Sequence, residues 1–246
     1  MCEPAKYLPA GDKGLVVEFG NAISPAINNK VRSFALALEH AGISGIVEYI
    51  PTYRSILVIY DPLVWQPDLL VARFRELEHS LGLMELPQPD IYYLPVAYGG
   101  EFGPDLPYVC QHTGLTEKDV VRIHTSVKYL IYMLGFTPGF PYLGGMDKRL
   151  ATPRLDTPRI QVPAGSVGIT GTQTGIYPVE SPGGWRIIGS TPVKLFNPFI
   201  KKPALLNAGD YVSFFAVTPA EYHQIFKAMA KGEYQVKVSK YIGEER

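Results

Sequence analysis

The glycine- and proline-rich stretch over residues 135–192 constrains the fold more than any other part of the sequence. Proline cannot occupy a helix interior or a central strand, and glycine favours tight turns, so a long helix is excluded there. The stretch nevertheless contains large apolar side chains that can form a core: Phe136, Phe140, Tyr142, Val162, Val167, Ile169, Ile176, Tyr177, Trp185, Ile187 and Ile188. This combination predicts many short strands joined by tight turns, as in a β-barrel or a sandwich.

The segments around this stretch extend the same domain, which we expect to cover residues 89–246. A helix is predicted after Thr116 and strands are predicted at 128–133, 193–196 and 211–216. A helix at 219–231 is predicted to close the domain. Its inner stripe should consist of Tyr222, Ile225, Phe226 and Met229.

Residues 1–88 have a different pattern, in which strand and helix signals alternate. Strands are predicted at 15–19, 45–50 and 55–60, and helices are predicted after Ser24-Pro25 and after Pro67. A further strand at 92–97, just past residue 88, is counted as the last strand of the pattern. The order βαββαβ is typical of an α+β ferredoxin-like domain. Prolines at 87 and 89 indicate the boundary between the two domains.

Charge and cysteine content exclude several classes of protein. The formal net charge is zero, which argues against a nucleic-acid surface or an anionic membrane as partner. Cys2 and Cys110 are the only cysteines, too few for a disulfide framework or a zinc cluster. No apolar run reaches the length of a membrane span. We therefore expect a cytoplasmic protein without a bound metal.

The second half of the glycine-rich stretch is polar but almost without charge. Between residues 160 and 189 the only charged residues are Glu180 and Arg186, whereas Ser166 and Gln173 lie among glycines. Glycine allows backbone N–H groups to approach a ligand, and isolated charges in such surroundings are costly unless they are paired or used. The alternative is that these glycines only form the turns of a barrel.

Three further residues are candidates for chemistry. His124 is on the apolar stripe of its predicted helix, where a core histidine and a catalytic base are both possible. Arg154 and Arg159 could bind phosphate or carboxylate, or they could be ordinary surface charges. The sequence contains no Walker loop, no HExxH and no GxSxG motif, so no complete catalytic machinery is recognisable.

Several long, irregular sequence motifs indicate a known family. They are GFTPGFPYLGGMD at 135–147, VPAGSVGI at 162–169, QTGIYP at 173–178, SPGGW at 181–185, IIG at 187–189 and, upstream, YRS at 53–55 and YGGEFGPDL at 98–106. Through these motifs the chain resembles the KipI / allophanate hydrolase subunit 1 family over nearly its whole length. One departure is Ser190, where members of that family commonly have arginine.

The resemblance implies an N-terminal α+β domain, a cyclophilin-like β-barrel and membership of an ATP-dependent 5-oxoprolinase. That enzyme hydrolyses 5-oxo-L-proline to L-glutamate with ATP cleavage, and it is formed with separate A and C subunits. ATP, with or without Mg²⁺, would be bound at the level of the complex, and the chain alone would be inactive. The alternatives are a KipI-type inhibitor of a sporulation histidine kinase, a carboxyltransferase-related subunit, or a barrel that binds prolyl peptides.

The lactam chemistry that the resemblance implies assigns roles to the candidate residues. Opening an unstrained amide requires a base for water, donors for an oxyanion and cations for phosphate. We assign His124 and Gln173 as catalytic residues. We expect the substrate or its anionic groups to contact Arg154, Arg159, Ser166, Glu180 and Arg186. We expect an exposed partner interface at Phe136, Phe140 and Tyr142, since aromatic residues are enriched at interfaces.

Overall fold

The structure, a computed structural model, describes residues 4–81 and 85–242. The chain divides into two compact units, with the division between residues 87 and 88. Within the described residues no helix is long and apolar enough to cross a membrane.

The N-terminal unit is a sheet covered by two helices. Its elements are β1 (Lys6–Ala10), β2 (Gly14–Glu18), α1 (Pro25–Ala41), β3 (Ile46–Pro51), β4 (Ser55–Tyr60) and α2 (Pro67–Ser80). The strand order is β1-β2-β4-β3 and neighbouring strands are antiparallel. Helix α1 begins as its sequence predicts, because the Ser24 hydroxyl accepts the N–H of Ile27 at 3.3 Å. The ring of Phe34 lies 5.4 Å from those of Phe19 and Phe74, which joins both helices to the sheet.

The predicted βαββαβ order is wrong in its last strand. The segment at 92–97 does not join this sheet but pairs within the second unit. The fourth strand is instead β1, which forms a hairpin with β2. Periodicity indicates that a segment is extended but does not identify its partner, and β1, with four of its five residues exposed, has no clear apolar alternation. The ferredoxin-like assignment is therefore not supported in its predicted form.

The second unit is a closed barrel with helices and a ribbon attached. Its elements are β5 (Asp90–Tyr98), α3 (Leu106–Thr113), α4 (Glu117–Thr125), β6 (Lys128–Leu134), β7 (Pro141–Gly144), β8 (Arg159–Val162), β9 (Ser166–Thr170), β10 (Gln173–Ile176), β11 (Ser181–Gly183), β12 (Arg186–Ser190), β13 (Tyr211–Ala216), α5 (Pro219–Lys231) and β14 (Lys237–Lys240). Seven strands follow one another as β12-β9-β10-β7-β6-β13-β5, and β5 pairs back with β12. The barrel predicted from the sequence is thus confirmed.

Closure of the barrel takes place where β12 meets β5. Gly189 pairs with Tyr98 there. A Cβ at position 189 would lie 2.7 Å from the carbonyl oxygen of Ala97 and 2.7 Å from Cγ1 of Val96, so only glycine fits. Strand β5 also pairs in parallel with β13 and, at its start, antiparallel with β14, so it holds the two ends of the domain together.

Some predicted elements differ from those observed. Residues 193–196 form no strand, and the only pairing described there is an isolated bridge between Phe196 and Ala204. Helix α5 has the predicted bounds, and Met229 packs against the barrel core. Phe226, however, is 55% exposed, so the predicted inner stripe is wrong at that residue.

Asp105 joins the start of α3 to the barrel wall. It is buried, and its Oδ2 accepts the backbone N–H of Ile187 at 2.6 Å. Its Oδ1 accepts from Nη2 of Arg159 at 2.8 Å. The backbone N–H of Asp105 also donates to the carbonyl of Ile187 at 2.9 Å. One carboxylate therefore holds β12 and β8 against α3. The sequence patterns did not predict this helix.

His124 is fully buried on α4 and continues a chain of hydrogen bonds through the barrel core. The Thr174 hydroxyl donates to the carbonyl of Gly168 at 3.1 Å, so it must accept from Nε2–H of His124 at 2.9 Å. Nδ1 is then the acceptor for the Tyr98 hydroxyl at 2.8 Å. The neutral Nε2–H tautomer is fixed by its neighbours, and the ring stacks on Phe214 with centroids 4.8 Å apart.

Removal of the Asp105 carboxylate should destabilise the barrel. Asp105→Ala leaves a buried N–H and the Arg159 guanidinium without their acceptor, so we expect a loss of about 3 kcal/mol in the free energy of unfolding. Urea denaturation of the full chain measures this loss. Asp156→Ala, which removes an exposed carboxylate, is the control and should unfold like the wild type. Equal stabilities for the two variants would contradict the role given to Asp105.

Stability should also fall in mild acid because of His124. Burial lowers the pKa of His124 to about 3, from an ordinary value of 6.5. Between these values the unfolded chain binds a proton that the folded chain does not, so the contribution is complete above pH 6.5 and is lost as the pH falls. At pH 5 we expect a loss of about 2 kcal/mol relative to neutral pH. Urea unfolding at both pH values measures this loss in the free energy of unfolding. The loss should be smaller in His124→Gln, and an equal loss in the two proteins would show that His124 is not its source.

Candidate functional site

A cleft of about 470 Å³ lies on the outside of the barrel. The loop between β6 and β7, strand β10, the ribbon of β8 and β11 and the segment at 153–158 surround it. Its lining residues are Phe136, Phe140, Tyr142, Arg154, Pro158, Thr170, Gln173, Tyr177, Pro182, Gly183, Gly184 and Trp185. An apolar pocket with a few convergent polar groups is the usual form of a small-molecule site.

Aromatic rings form the wall of the cleft, and Phe140 is at their centre. Its ring centroid lies 5.8 Å from Phe136, 5.1 Å from Tyr142, 5.3 Å from Tyr177 and 5.4 Å from Trp185. Three of these pairs are edge-on, a favoured geometry for aromatic packing. Phe140 is only 2% exposed, so the expectation that it presents its ring to a partner is wrong.

Phe136 occupies a strained position at the mouth of the cleft. Its φ of 67° makes it the one non-glycine residue with a left-handed backbone in the described chain. A bulky side chain is rare in that region and is kept there only when its surroundings impose it. Two backbone hydrogen bonds do so, from Gly135 to the Phe140 carbonyl at 3.1 Å and from Phe140 to the Thr137 carbonyl at 3.0 Å. Phe136 is 66% exposed and is one of the residues that line the cleft.

Arg154 is the one charged residue among the described residues that line the cleft. Its guanidinium lies against Gly184, where a Cβ would be 3.0 Å from Nη2 and 3.1 Å from Nε. Among residues 4–81 and 85–242, no carboxylate forms an ion pair with Arg154. A guanidinium without a counter-ion in an aromatic cleft is suited to a carboxylate or a phosphate, which it can bind through two parallel hydrogen bonds.

The neutral polar groups of the cleft are Gln173, Thr170 and Tyr177. Gln173 begins β10 and pairs with Thr170 across the turn at Gly171, so both side chains are placed by the strand register. Burial raises the pKa of Tyr177, although a hydrogen bond with the backbone of Trp185 and the nearby Arg154 act in the opposite direction. The phenol therefore stays protonated, and because Tyr177 is only 1% exposed it supports the aromatic wall from behind.

The glycines around the cleft make room for side chains. A Cβ at Gly175 would lie 2.9 Å from Cζ3 of Trp185, and the Cβ at Gly184 would crowd Arg154 as described above. Others, such as Gly165 and Gly171, have positive φ and form turns. These glycines therefore form turns and make room for side chains, as the alternative interpretation of this stretch predicted.

The structure brings together five of the ten residues proposed from the sequence. Arg154, Gln173, Phe136, Phe140 and Tyr142 all line the cleft. Tyr177 and Trp185 also line it and were not among those proposed. The signal that could have identified them is their position as large aromatic residues inside the glycine-rich words, next to the scarce polar groups.

The other five proposed residues lie elsewhere. Arg159 is paired with Asp105, and Arg186 lies 3.6 Å over the ring of Tyr108 while its Nε donates to the Pro153 carbonyl at 3.2 Å. Ser166 is buried in β9 and Glu180 is exposed beside a different groove. His124, in the barrel core, has both ring nitrogens hydrogen-bonded.

The cleft has the groups for binding but few for catalysis. Its described lining contains no carboxylate, histidine or cysteine side chain. Within the part of the chain that the structure describes, no group of three or more His, Cys, Asp or Glu side chains could hold a metal ion. Among its described lining residues, the cleft thus presents one guanidinium and several aromatic rings to a ligand.

Comparison with known proteins agrees with this architecture. The family model described as "Carboxyltransferase domain, subdomain C and D" matches residues 5–206. The 5-oxoprolinase B subunit of Bacillus subtilis is 43% identical over 223 residues, which cover 87% of this chain and 93% of that protein. The 5-oxoprolinase B subunit of Escherichia coli is 43% identical over 205 residues, covering 83% of this chain and 92% of that protein.

Solved structures show the same fold. The protein TTHA0988 superposes with a TM-score of 0.74 at 35% identity over 83% of this chain, which spans 40% of that longer chain. A conserved uncharacterized protein from Pyrococcus horikoshii is 47% identical, with a TM-score of 0.53, over 88% of this chain and all of its own. The Kluyveromyces lactis urea carboxylase, at 23% identity, shares the fold with a TM-score of 0.78 over 96% of this chain and 24% of its own.

The match of the family model over most of the chain confirms the resemblance seen in the sequence words. The B subunits of Bacillus subtilis and Escherichia coli, each matched over most of their own length, belong with it. The chain is therefore a member of the KipI / allophanate hydrolase family, whose shared module is the carboxyltransferase domain, subdomains C and D.

Proposed function

We propose that this chain is the B subunit of an ATP-dependent 5-oxoprolinase, which hydrolyses 5-oxo-L-proline to L-glutamate with cleavage of ATP. The observation that carries the proposal is the 43% identity to the Bacillus subtilis B subunit over 93% of that protein. The chain acts in a complex with the A and C subunits of the enzyme. ATP, with or without Mg²⁺, is bound at the level of that complex.

The chemistry of the cleft suits this substrate. 5-Oxoproline is a small planar lactam with one carboxylate, and the cleft offers one guanidinium and several rings. Arg154 pairs with the carboxylate, the lactam ring packs on Trp185 and Phe136, and the amide of Gln173 bonds the lactam N–H or C=O. The size of the cleft, about 470 Å³, leaves space beside one lactam for groups from a partner.

Our proposal revises the roles given to the other candidates. His124 becomes a positioning residue, because it bonds Thr174, the residue next to Gln173 on β10. Arg159 and Arg186 become structural, since their guanidinium groups contact Asp105 and Tyr108. Ser166 and Glu180 lie outside the cleft lining and contribute no contact to the substrate.

The missing chemistry is assigned to the partner proteins of the complex. An unstrained lactam is a poor electrophile, and phosphorylation of its carbonyl oxygen by ATP would make it open to attack by water. The partner with the ATP site must supply the cations for phosphate and the base for water. We assign the barrel to the cyclophilin-like type, and it holds the lactam. The complex works in the cytoplasm, a reducing compartment in which a free thiol such as that of Cys110 persists.

Reconstitution tests this assignment. The purified chain should show no 5-oxoproline-dependent ATP hydrolysis, because its described cleft lining has no base, and a mixture with the A and C subunits should restore turnover. A coupled ATPase assay with and without 5-oxoproline makes the measurement. Robust turnover by the chain alone would refute the assignment. Failure of the mixture, together with tight binding to a histidine kinase, would favour the inhibitor role.

Substitutions in the cleft test the site. Arg154→Ala should raise KM for 5-oxoproline about 30-fold and change kcat much less. The reason is the loss of a charge-assisted hydrogen bond worth about 2 kcal/mol. Gln173→Ala should lower kcat/KM for 5-oxoproline while the melting temperature stays near that of the wild type. Arg122→Ala removes an exposed arginine that lies outside the cleft and is the matched control. An unchanged KM in Arg154→Ala would show that Arg154 does not bind the substrate carboxylate in this cleft.

A further inference from the structure

Arg186 connects three parts of the barrel unit next to the cleft. It begins β12, where its backbone pairs with Ile169 of β9. The central carbon of its guanidinium lies 3.6 Å from the ring centroid of Tyr108 on α3, a close cation–π contact. Its Nε donates to the Pro153 carbonyl at 3.2 Å. One side chain therefore ties the strand and the helix to the residue that precedes Arg154.

The backbone is hydrogen-bonded on both sides of Arg154. After it, the N–H of Leu155 donates to the Gly184 carbonyl at 2.7 Å. Before it, the Pro153 carbonyl accepts from Arg186. Because proline has no N–H, the carbonyl is the one backbone group through which residue 153 can be bonded. The contact from Arg186 thus fixes the chain at the point where it leads into Arg154.

Arg154 depends on such support because no acidic residue orients it. Its side chain is exposed, and within the described part of the chain it forms no ion pair. A long exposed side chain loses rotamer freedom when it binds a ligand, and a mobile backbone adds to that cost. The guanidinium lies against the backbone at Gly184, so the placement of residues 153–155 decides where it points.

We propose that Arg186 and Tyr108 are positioning residues for Arg154, which they hold in the orientation that binds the substrate carboxylate. The inference rests on the proposed function, which gives Arg154 that carboxylate. The ring of Tyr108 fixes the guanidinium of Arg186, and this guanidinium fixes the Pro153 carbonyl. Neither Arg186 nor Tyr108 lines the cleft, so both act through Arg154 and not on the substrate. The structural contacts of Arg186 thereby acquire a role in substrate binding.

Attraction of an anionic substrate by the charge of Arg186 is a different explanation, and it makes a different prediction. Lysine keeps the positive charge, but its ammonium has no planar face to stack on a ring and no Nε–H donor beside that face. Charge attraction would therefore survive in Arg186→Lys, whereas positioning would be lost. The two explanations are separated by this one variant.

Tyr108 offers a matched pair of variants, to be assayed in the enzyme reconstituted with the A and C subunits. Tyr108→Ala removes the ring and should raise KM for 5-oxoproline about 10-fold, less than the loss of Arg154 itself, with kcat changed much less. Tyr108→Phe keeps the ring face and should have the wild-type KM. Arg186→Lys should behave like Tyr108→Ala. Because Tyr108 is 39% exposed, the melting temperatures of its variants should stay near that of the wild type.

A double-mutant cycle tests whether the effect passes through Arg154. Tyr108→Ala should raise KM no further when it is added to Arg154→Ala, because a positioning residue has no effect once the residue it positions is gone. A further rise of about 10-fold in the double variant would overturn the proposal. A wild-type KM in Tyr108→Ala or in Arg186→Lys would also overturn it, as would a KM in Tyr108→Phe equal to that of Tyr108→Ala.

Hydrogen exchange at the Leu155 amide measures the same positioning without any activity. In the purified full chain this amide should exchange faster in Tyr108→Ala than in the wild type or in Tyr108→Phe, because its bond to Gly184 opens more often when the Pro153 carbonyl is released. Equal exchange rates in the three proteins would contradict the positioning role. A reconstituted wild-type complex without 5-oxoproline-dependent ATP hydrolysis would instead overturn the proposed function, and the exchange rates would still test the contacts of Arg186.

Discussion

Closure of the barrel between β12 and β5 is the constraint on which the other features of the second unit depend. Gly189 allows the two backbones to approach. The chain continues from β5 into the loop that contains Asp105, and this carboxylate bonds back to Ile187 in β12, next to the closure. The same carboxylate holds Arg159 of the ribbon, and the ribbon forms one side of the cleft. Closure, ribbon and cleft are thus linked by short polar contacts.

Local patterns in the sequence were enough to predict the barrel and most helices. Helix α5 has its predicted bounds, and the structure shows the local signals that set them: Thr218 caps its start and Gly232 its end. The partner of a strand depends on residues far away, so the pairing of β5 with β13 instead of the N-terminal sheet could not be read from periodicity. The exposure of Phe226 also depends on distant contacts, since the helical stripe does not show how much of it the barrel covers.

The site was predictable only in part, for a related reason. Gln173 was identified because polar side chains stand out among the glycines of residues 160–189, and Arg154 because a guanidinium can bind phosphate or carboxylate. Arg159 and Arg186 have the same appearance in the sequence, but one is neutralised by a carboxylate and the other stacks on a ring. His124 has a catalytic residue type, yet its burial and its two hydrogen bonds belong to the core. Burial and pairing decide between such interpretations, and both come from the folded chain.

The parallel pairing of β5 with β13 has a consequence for how the protein is made. The N–H of Asp90 bonds the carboxylate of Asp210, a residue 120 positions later in the chain. During synthesis the N-terminal unit can fold while the ribosome is still translating the barrel, because all strands of its sheet precede residue 61. Strand β5, with its run of apolar residues, must wait for β13 to emerge. Over that interval its apolar residues lack their partner strand, and the rate of translation sets how long they stay exposed.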